Sequence, residues 1–433
     1  MGRGPPRALA AQGRARRARA GALRSGAGAP RRSPLVRVAL CHTRATDVGG
    51  VERYVHALAV RLIEAGHEVH YFCNWWDETV DPRIRLHRVP YWGKQIKWLK
   101  VLCFDLLSRR AIEAEGPFDV VHGFSKTSRQ DIYRDGSGCA ADYHAHMLAT
   151  HPSPWARLAR RHSLAQAVIR RIEARRYTPG ACKRIVAISR LVKEQILARY
   201  PLAPEQVEVI YNGVDLERFT PALAARARPE VRRELELPPE EPLLLFVGSD
   251  YRRKGLQTFL EALARLPRGA GVVIGRERRR AAAAYEREAE RLGLGGRVRF
   301  LGVQKEVRRF FAAADALAFP TLFDAFGNVT LEAMASGLPT VVSSRAGSAE
   351  VVEDGASGAV LSDPQDPTEL ADALRPYLDP HLARAHGARA RALAEDYSWD
   401  RHFDRIIVTL YGEVAGRPAA APPPPAPSSI SAQ

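Results

Sequence analysis

The segment from residue 316 to residue 339 constrains the fold more than any other part of the chain. Residues 316–319 form a short apolar run typical of a buried strand, and residues 329–335 form a helical pattern that ends before Gly337. Asp324 falls in the loop between them. A helix N-terminus carries unpaired N–H groups and a partial positive charge, so this segment predicts an anion-binding loop at the end of a buried strand.

Comparable strand, loop and helix units recur along most of the chain. Apolar runs suited to buried strands occupy residues 35–40, 68–73, 118–124, 184–189, 207–211, 243–248, 271–275, 298–302 and 341–343. Regular alternation of strands and helices predicts an α/β protein with parallel sheets. Because 433 residues exceed the usual size of a single core, we expect two doubly wound, Rossmann-like domains that face a central cleft.

Shifts in composition divide the chain further. We predict a disordered basic head, a first domain that binds the acceptor, a polar linker, a second domain that binds the donor, a C-terminal helix and a disordered Pro/Ala tail, at residues 1–34, 35–215, 216–242, 243–396, 397–416 and 417–433.

The net charge of +17 owes much to the head, which contains nine Arg and no acidic residue. Such a head suits a transit peptide, a nucleic-acid arm, a membrane tether or an upstream misread start, and we favour the last two.

Several classes of function are disfavoured by what the sequence contains. Five cysteines are scattered without a paired spacing to histidine, which argues against disulfides and zinc and for a reducing cytoplasm. No run reaches the length that a membrane span needs, and the N-terminus lacks the apolar core of a secretory signal. The Gly49-Gly50 turn after the first strand lacks the GxGxxG spacing of nicotinamide sites.

Two further loops carry groups suited to phosphate. Gly49 and Gly50 open a helix and let the backbone approach a ligand closely. Arg253 and Lys254 follow the strand at 243–248, where a basic pair is well placed to neutralise phosphate. Glu332, two turns beyond Asp324, adds an acceptor suited to sugar or ribose hydroxyls.

From Asp324 onward, an acidic residue is followed by seven residues and a Glu, with a Phe-Gly turn between the two acids and Ala-Ser-Gly-Leu-Pro after them. This pattern resembles the donor site of family-4 glycosyltransferases of the GT-B type. The resemblance covers about residues 35–415. It implies retention of anomeric configuration, no metal or other cofactor, and a C-terminal helix that crosses back to the first domain. It also implies a donor site made of Gly49, Gly50, Arg253, Lys254, Val303, Asp324, Phe326, Gly327, Asn328 and Glu332. Asp324 stands where the family usually has Glu.

Within the family, residues 123–136 resemble the acceptor loop of bacterial lipopolysaccharide core glucosyltransferases. We treat this segment as a loop in which Asp135, or alternatively Asp131, is the acceptor-side acid. The catalytic candidates are thus Asp135, Asp131, Arg253 and Lys254, with the leaving phosphate as the other possible proton acceptor.

The same resemblance implies UDP-glucose as donor, with UDP-GlcNAc, GDP-mannose and ADP-heptose left open. The implied acceptor is a glycolipid, either the lipopolysaccharide core or another lipid-linked glycan. Residues 140–178 combine Trp155 and many arginines with an apolar stripe, so we predict peripheral contact with an anionic membrane on its cytoplasmic face.

Two rival functions remain at this stage. A sugar-nucleotide epimerase shares the architecture, although the spacing from Asp324 to Glu332 favours transfer. A nucleic-acid binder is suggested only by the net charge, and no aromatic stacking platform or known motif supports it, so we expect no nucleic-acid partner.

Overall fold

A computed structural model describes residues 36–46, 49–91, 95–149 and 153–416 of the chain. The predicted basic head (1–34) and tail (417–433) lie outside the described residues. Among the described residues, no helix combines the length and the apolarity needed to cross a bilayer.

The first half of the chain builds a seven-stranded parallel sheet with the order β5-β3-β1-β6-β7-β8-β9. Its strands are β1 (Arg37–Cys41), β3 (Glu68–Cys73), β5 (Arg85–Arg88), β6 (Val120–Gly123), β7 (Ile132–Asp135), β8 (Arg184–Ala187) and β9 (Val207–Val209), and β2 (Arg44–Ala45) pairs separately with β4 (Trp75–Trp76). Its helices are α1 (Gly50–Glu64), α2 (Lys97–Glu115), α3 (Ala140–Ala149), α4 (Pro154–Arg161), α5 (Leu164–Arg176) and α6 (Arg190–Arg199).

The second half builds a six-stranded parallel sheet with the order β12-β11-β10-β13-β14-β15. Its strands are β10 (Leu243–Val247), β11 (Ala270–Ile274), β12 (Val298–Gly302), β13 (Ala316–Phe319), β14 (Thr340–Ser343) and β15 (Gly358–Leu361). Its helices are α7 (Ala224–Glu234), α8 (Tyr251–Lys254), α9 (Leu256–Arg265), α10 (Arg279–Arg291), α11 (Arg308–Ala313), α12 (Asn328–Ala335), α13 (Pro367–Leu374) and α14 (Pro380–Ala394). The two doubly wound sheets confirm the predicted fold class.

Two segments differ from the sequence prediction. Residues 132–135 form a fully buried strand inside the segment that we treated as a loop, because β7 fills the position between β6 and β8. Residues 216–242, predicted to be a linker, contain helix α7. That helix buries Ala227 and Val231, and Arg232 pairs with Asp315 at 3.2 Å, so the segment packs on the second half of the chain.

The C-terminal helices, α15 (Trp399–Asp404) and α16 (Tyr411–Val414), return to the first sheet through a π-helical segment, Arg405–Leu410. The hydroxyl of Tyr411 lies 2.8 Å from His122 Nδ1, and the hydroxyl of Tyr54 lies 2.9 Å from His402 Nε2. Phe403 and Ile406 are buried in the same apolar cluster as the first sheet. The predicted crossover to the first domain is therefore confirmed.

The buried His402 should give the protein a measurable pH dependence. Its Nδ1 lies 2.6 Å from the Tyr211 carbonyl oxygen and donates to it, so Nε2 accepts from the Tyr54 hydroxyl. Burial lowers the pKa of His402 to about 3, and Arg134 acts in the same direction. In the unfolded chain the pKa is about 6.5, so the unfolded state binds one more proton between those two values and stability falls as the pH falls.

We predict that His402→Gln removes this contribution, which amounts to about 1.4 kcal/mol per pH unit below about pH 6.5. Denaturant unfolding at several pH values from 7.5 down to 5 measures the effect. His381→Gln, at an exposed histidine on α14, is the matched control and should keep the wild-type slope. A His402→Gln profile parallel to that of the wild type would contradict the assignment.

Candidate active site

The basic turn after β10 is fixed against the loop that follows β13. Asp250 caps α8, accepting a hydrogen bond from the Arg253 backbone N–H, and Gly255 ends the helix with φ of +80°. A Cβ on Gly255 would lie 1.9 Å from the Pro320 carbonyl oxygen, so only glycine allows this approach. The consequence is that Arg253 and Lys254 stand directly beside Asp324.

Asp324 joins both cations through one carboxylate oxygen. Arg253 Nη1 lies 3.2 Å from Asp324 Oδ2 and donates to the Phe323 carbonyl oxygen at 2.9 Å, and Lys254 Nζ pairs with the same Oδ2. Lys254 Nζ also stands 4.5 Å from the centroid of the Phe319 ring. All three charged side chains are mostly buried.

The charges in this cluster shift one another. Burial alone would raise the pKa of Asp324, but Lys254 and Arg253 hold it below its usual value. Burial, together with Arg253, lowers the pKa of Lys254, and Asp324 opposes that shift. Two cations share the Asp324 carboxylate, and Arg253 Nε also lies 3.2 Å from Oδ2 of Asp250, whose side chain is 46% exposed. The buried part of the cluster therefore holds two positive charges and one negative charge. Such a cluster can hold a second anion, and a diphosphate suits it.

The N-terminus of α12 faces the same cleft edge. Gly327 has φ of +93°, and a Cβ there would lie 2.6 Å from the Phe319 ring. The N-cap residue Gly327 has no side chain with which to cap the helix, so the first N–H groups of α12 are available to an anion. Glu332 lies one turn after Asn328, on the same face. Burial raises the pKa of Glu332, and Arg218 and Arg53 oppose the shift.

Four predicted donor-site residues occupy different surroundings. Val303 is 60% exposed immediately after β12, at the carboxyl edge of the sheet. The Phe326 side chain is buried, its N–H donates to Asp324 Oδ1 at 3.3 Å and its carbonyl oxygen accepts from the Ser348 N–H at 2.8 Å, so Phe326 helps to fix the loop. Gly49 and Gly50 start α1 at the carboxyl end of β1, with Gly49 at φ of +110°. Arg53, in the first turn of α1, is close enough to Glu332 to influence its charge, so the two halves meet at this edge.

The two candidate acceptor-side acids lie at opposite ends of β7. Asp135 ends the strand at the cleft edge, 2% exposed, and accepts a hydrogen bond from the Tyr177 hydroxyl at 2.7 Å. Burial raises the pKa of Asp135, and the Tyr177 hydrogen bond opposes the shift. Asp131 precedes the strand, pairs with Lys183 Nζ at 3.0 Å and accepts from the Val121 N–H at 2.9 Å. Asp131 is therefore tied to the framework of the sheet, and Asp135 is the one at the cleft.

A polar bridge that the sequence analysis missed joins the two halves at the start of α12. Asn212 Nδ2 donates to Asn328 Oδ1 at 2.7 Å, and Arg134 Nη2 donates to Asn212 Oδ1 at 2.6 Å. The Arg134 guanidinium lies over the Tyr54 ring, 3.9 Å from its centroid. The Asn-Gly-Val-Asp sequence at 212–215 marked the end of a strand, but nothing in it indicated that the Asn side chain reaches across the cleft.

Two further contacts join the second half to the first, and one of them holds the loop between β13 and α12. The Ser189 hydroxyl donates to the Ala325 carbonyl oxygen at 2.8 Å. Glu350 accepts from the backbone N–H groups of Arg190 and Leu191, each at 2.8 Å, and so caps α6 from the opposite half. The cleft edge that carries Asp324 is thus positioned by residues from both sheets.

Comparisons with known proteins cover both sheets. The chain matches the family model described as Glycosyltransferase Family 4 over residues 48–218 and the one described as Glycosyl transferases group 1 over residues 241–379. The D-inositol 3-phosphate glycosyltransferase of Salinispora tropica is 30% identical over 419 residues, which cover 85% of this chain and 81% of that protein.

Two further matches concern one protein. The lipopolysaccharide glucosyltransferase WaaG of Escherichia coli K12 is 26% identical over 367 residues, which cover 83% of this chain and 95% of that protein. A crystal structure of WaaG, a glycosyltransferase involved in lipopolysaccharide biosynthesis, matches with a TM-score of 0.71, covering 86% of this chain and 99% of that one.

Proposed function

Because the chain belongs to the family-4 glycosyltransferases of the GT-B type, we propose that it transfers glucose from UDP-glucose, with retention of configuration, to a lipopolysaccharide core or similar lipid-linked glycan. The membership decides between the two enzyme classes that the sequence left open, in favour of a transferase and against an epimerase. The printed name of the E. coli relative, a lipopolysaccharide glucosyltransferase, supports the choice of glucose and acceptor.

The observation that carries the proposal is the pairing of Asp324 with Arg253 and Lys254 beside an uncapped helix N-terminus. Departure of a nucleoside diphosphate leaves negative charge that must be stabilised as the sugar bond breaks. The two cations and the first N–H groups of α12 can supply that stabilisation without a metal ion. Asp324 holds the cations in place and keeps its remaining lone pairs for sugar hydroxyls, and Glu332 accepts from the ribose.

In this proposal Asp135 is not the base that takes the proton of the acceptor. Its carboxylate is enclosed and already hydrogen-bonded to the Tyr177 hydroxyl. The loop that follows it approaches the donor loop, since a Cβ on Gly138 would lie 3.3 Å from both Ala325 Cβ and the Phe323 ring. Asp135 therefore orients the acceptor side of the cleft, and the leaving phosphate takes the acceptor proton.

The acceptor side also carries a cation that suits an anionic acceptor. Lys126 follows β6, is half-buried and makes no hydrogen bond or ion pair with the part of the chain that the structure describes. Burial lowers the pKa of Lys126, and Asp135 and Glu173 oppose this. A phosphoryl group on the acceptor would complement it. The Lys126 cation therefore favours inositol 3-phosphate as a second candidate acceptor. Inositol 3-phosphate appears in the name of the Salinispora relative.

Helix α4 supports contact with the membrane. Trp155 is 78% exposed and Leu158 is 50% exposed, and their spacing of three residues places them on one face. Arg157, Arg160 and Arg161 lie on the same short helix. Within α5 the apolar Ile169 and Ile172 are instead buried in the protein, so the contact that we propose is made by α4. Exposed apolar side chains among arginines suit the surface of an anionic bilayer.

Lys254→Ala should leave the fold intact and lower the rate of transfer by about 100- to 1000-fold, because one preorganised donor to the leaving diphosphate is lost. Transfer from UDP-glucose to purified core lipopolysaccharide lacking its glucose, or to inositol 3-phosphate, is measured in the presence of EDTA. Arg280→Ala, an exposed cation on α10, is the matched control. Normal turnover by a folded Lys254→Ala enzyme would contradict the proposed donor site.

Asp135→Asn tests the route of the proton. If the leaving phosphate is the proton acceptor, the change should lower kcat by less than about tenfold, whereas loss of a general base costs about 100- to 10,000-fold. Asn keeps an oxygen for the Tyr177 hydroxyl, so circular dichroism should show an unchanged fold. A drop within the larger range, with unchanged binding of UDP, would return Asp135 to the role of base.

The double change Trp155→Ala with Leu158→Ala should weaken binding to vesicles of anionic phospholipid at least about tenfold, since two large apolar side chains are removed from the contact. Cosedimentation at low and high salt measures it. Leu106→Ala, at a residue that is 47% exposed on α2, serves as the control. Equal binding by the double variant and the control would rule out α4 as the membrane contact.

A further inference from the structure

Two histidines and a glutamate that the cleft does not use meet on the first sheet. His70 lies in β3, His87 lies in β5, and Glu115 ends α2. His70 Nδ1 is 2.8 Å from His87 Nε2. Glu115 Oε1 is 3.7 Å from His70 Nδ1, and Glu115 Oε2 is 3.5 Å from His87 Nδ1. One candidate ligand atom from each residue lies within 4.8 Å of the other two.

We propose that His70, His87 and Glu115 bind a Zn²⁺ ion. Two imidazole nitrogens and one carboxylate oxygen are a ligand set that Zn²⁺ accepts, with water in the fourth position. The sequence analysis argued against zinc only from cysteine spacing. It missed this group because strand pairing and a helix end, rather than a short motif, bring its members together.

A neighbouring carboxylate sets the tautomer of His70 that a metal needs. His70 Nε2 lies 2.9 Å from Glu68 Oε1 and donates its N–H there, which leaves the lone pair on Nδ1. The Nε2–H of His87 donates to that lone pair at 2.8 Å, so without a metal one proton lies between the two nitrogens. A Zn²⁺ ion would take the place of that proton, with Glu68 as the outer carboxylate that orients His70.

The rings are held in place before any ion arrives. His70 is fully buried and stacks on His87, with ring centroids 4.9 Å apart and planes 9° apart. His87 also stacks on Phe72 at 4.5 Å, and Phe118 contacts His70 edge-on.

Two arginines pair with the glutamates of the cluster and would compete with a bound ion for them. Arg37 Nη2 is 3.4 Å from Glu115 Oε1, and Arg85 Nη1 is 2.6 Å from Glu68 Oε1. Binding requires Glu115 to exchange its long contact with Arg37 for the ion. It also requires the two nitrogens, now 2.8 Å apart, to open to about 3.3 Å, the spacing of tetrahedral ligands at zinc distances. Arg37 keeps its contact with Glu68 at 3.4 Å during this exchange.

The site lies away from the donor cleft. His70 is in register with Arg85, the first residue of β5, and Glu115 ends the helix that precedes β6, so these two ligands lie toward the amino ends of strands whose carboxyl ends form the cleft, with His87 two residues farther along β5. An ion here would join the edge strand β5 to β3 and to the end of α2. Its expected effect is on the stability of this corner and not on the chemistry of transfer.

The test uses the full chain, freed of any affinity tag and of metal. Zn²⁺ titrated at pH 7.5 and followed by calorimetry should show one saturable site per chain, raise the midpoint of thermal unfolding and release protons. Mg²⁺ should show no saturable site, no rise in the unfolding midpoint and no release of protons. Co²⁺ in place of Zn²⁺ should give the visible absorption of a four-coordinate ion.

Variants of the proposed ligands and of Glu68 test where the ion binds. His87→Ala and the isosteric Glu115→Gln should each weaken Zn²⁺ binding at least about 100-fold, and Glu68→Gln about 10- to 100-fold, as expected for an outer carboxylate. His381→Ala, at an exposed histidine, should bind as the wild type does. No saturable binding by the wild type, or equal binding by His87→Ala, Glu115→Gln and His381→Ala, would overturn the proposal.

Discussion

The active cleft depends on one shared ion pair, in which the Asp324 carboxylate holds both Arg253 and Lys254. The approach of Gly255 to the Pro320 carbonyl oxygen brings the two loops into contact, and burial strengthens the attraction between the charges. Asp250 also pairs with Arg253, at 3.2 Å, but its side chain is 46% exposed and solvent screens its charge, whereas the buried Asp324 carboxylate faces both cations. The loop is thus folded around an excess of positive charge, next to a helix N-terminus with the same sign, and a diphosphate is the ligand that this field would favour.

The same loop is also the place where the two halves of the protein meet. Ser189 and Asn212 reach it from the first half, and Glu350 returns a contact from the second half to the start of α6. Arg134 extends this network into the first sheet and lies over Tyr54, which in turn contacts the returning C-terminal helix through His402. A change in the angle between the halves would therefore move the donor loop, because its backbone is bonded to both. This explains why the crossover helix is part of the same physical unit as the cleft.

Local patterns in the sequence predicted much of the fold and of the candidate site. Continuous apolar runs such as Leu243–Val247 can only be buried strands, and the spacing from Asp324 to Glu332 places both acids near one helix start. Ile132–Asp135 was taken for part of a loop because residues 123–136 resemble an acceptor loop, although the strand is fully buried between two neighbours. Helix α7 was not predicted, because its many arginines and Pro229 obscure the helical pattern in the sequence.

Long-range contacts could not be predicted in the same way. His70 and His87 meet through the pairing of β3 with β5, and Asn212 meets Asn328 only because two sheets face each other. No spacing rule within one segment encodes such pairs, and a single sequence offers no other signal for them. The identity of the acceptor depends on the same kind of information, since Lys126 follows β6 and Asp135 ends β7.

The most direct test of the central claim is the thermal unfolding of the purified chain with a panel of nucleotide sugars and EDTA. A ligand that binds only the folded state at 100 times its Kd adds about 2.7 kcal/mol to the apparent stability. Our account predicts that UDP-glucose raises the unfolding midpoint more than GDP-mannose, ADP-heptose or UDP-GlcNAc does, and that EDTA leaves the increase unchanged. Failure of every nucleotide sugar to shift the midpoint of a folded sample, or a shift that EDTA abolishes, would contradict metal-free donor binding at Arg253, Lys254 and Asp324.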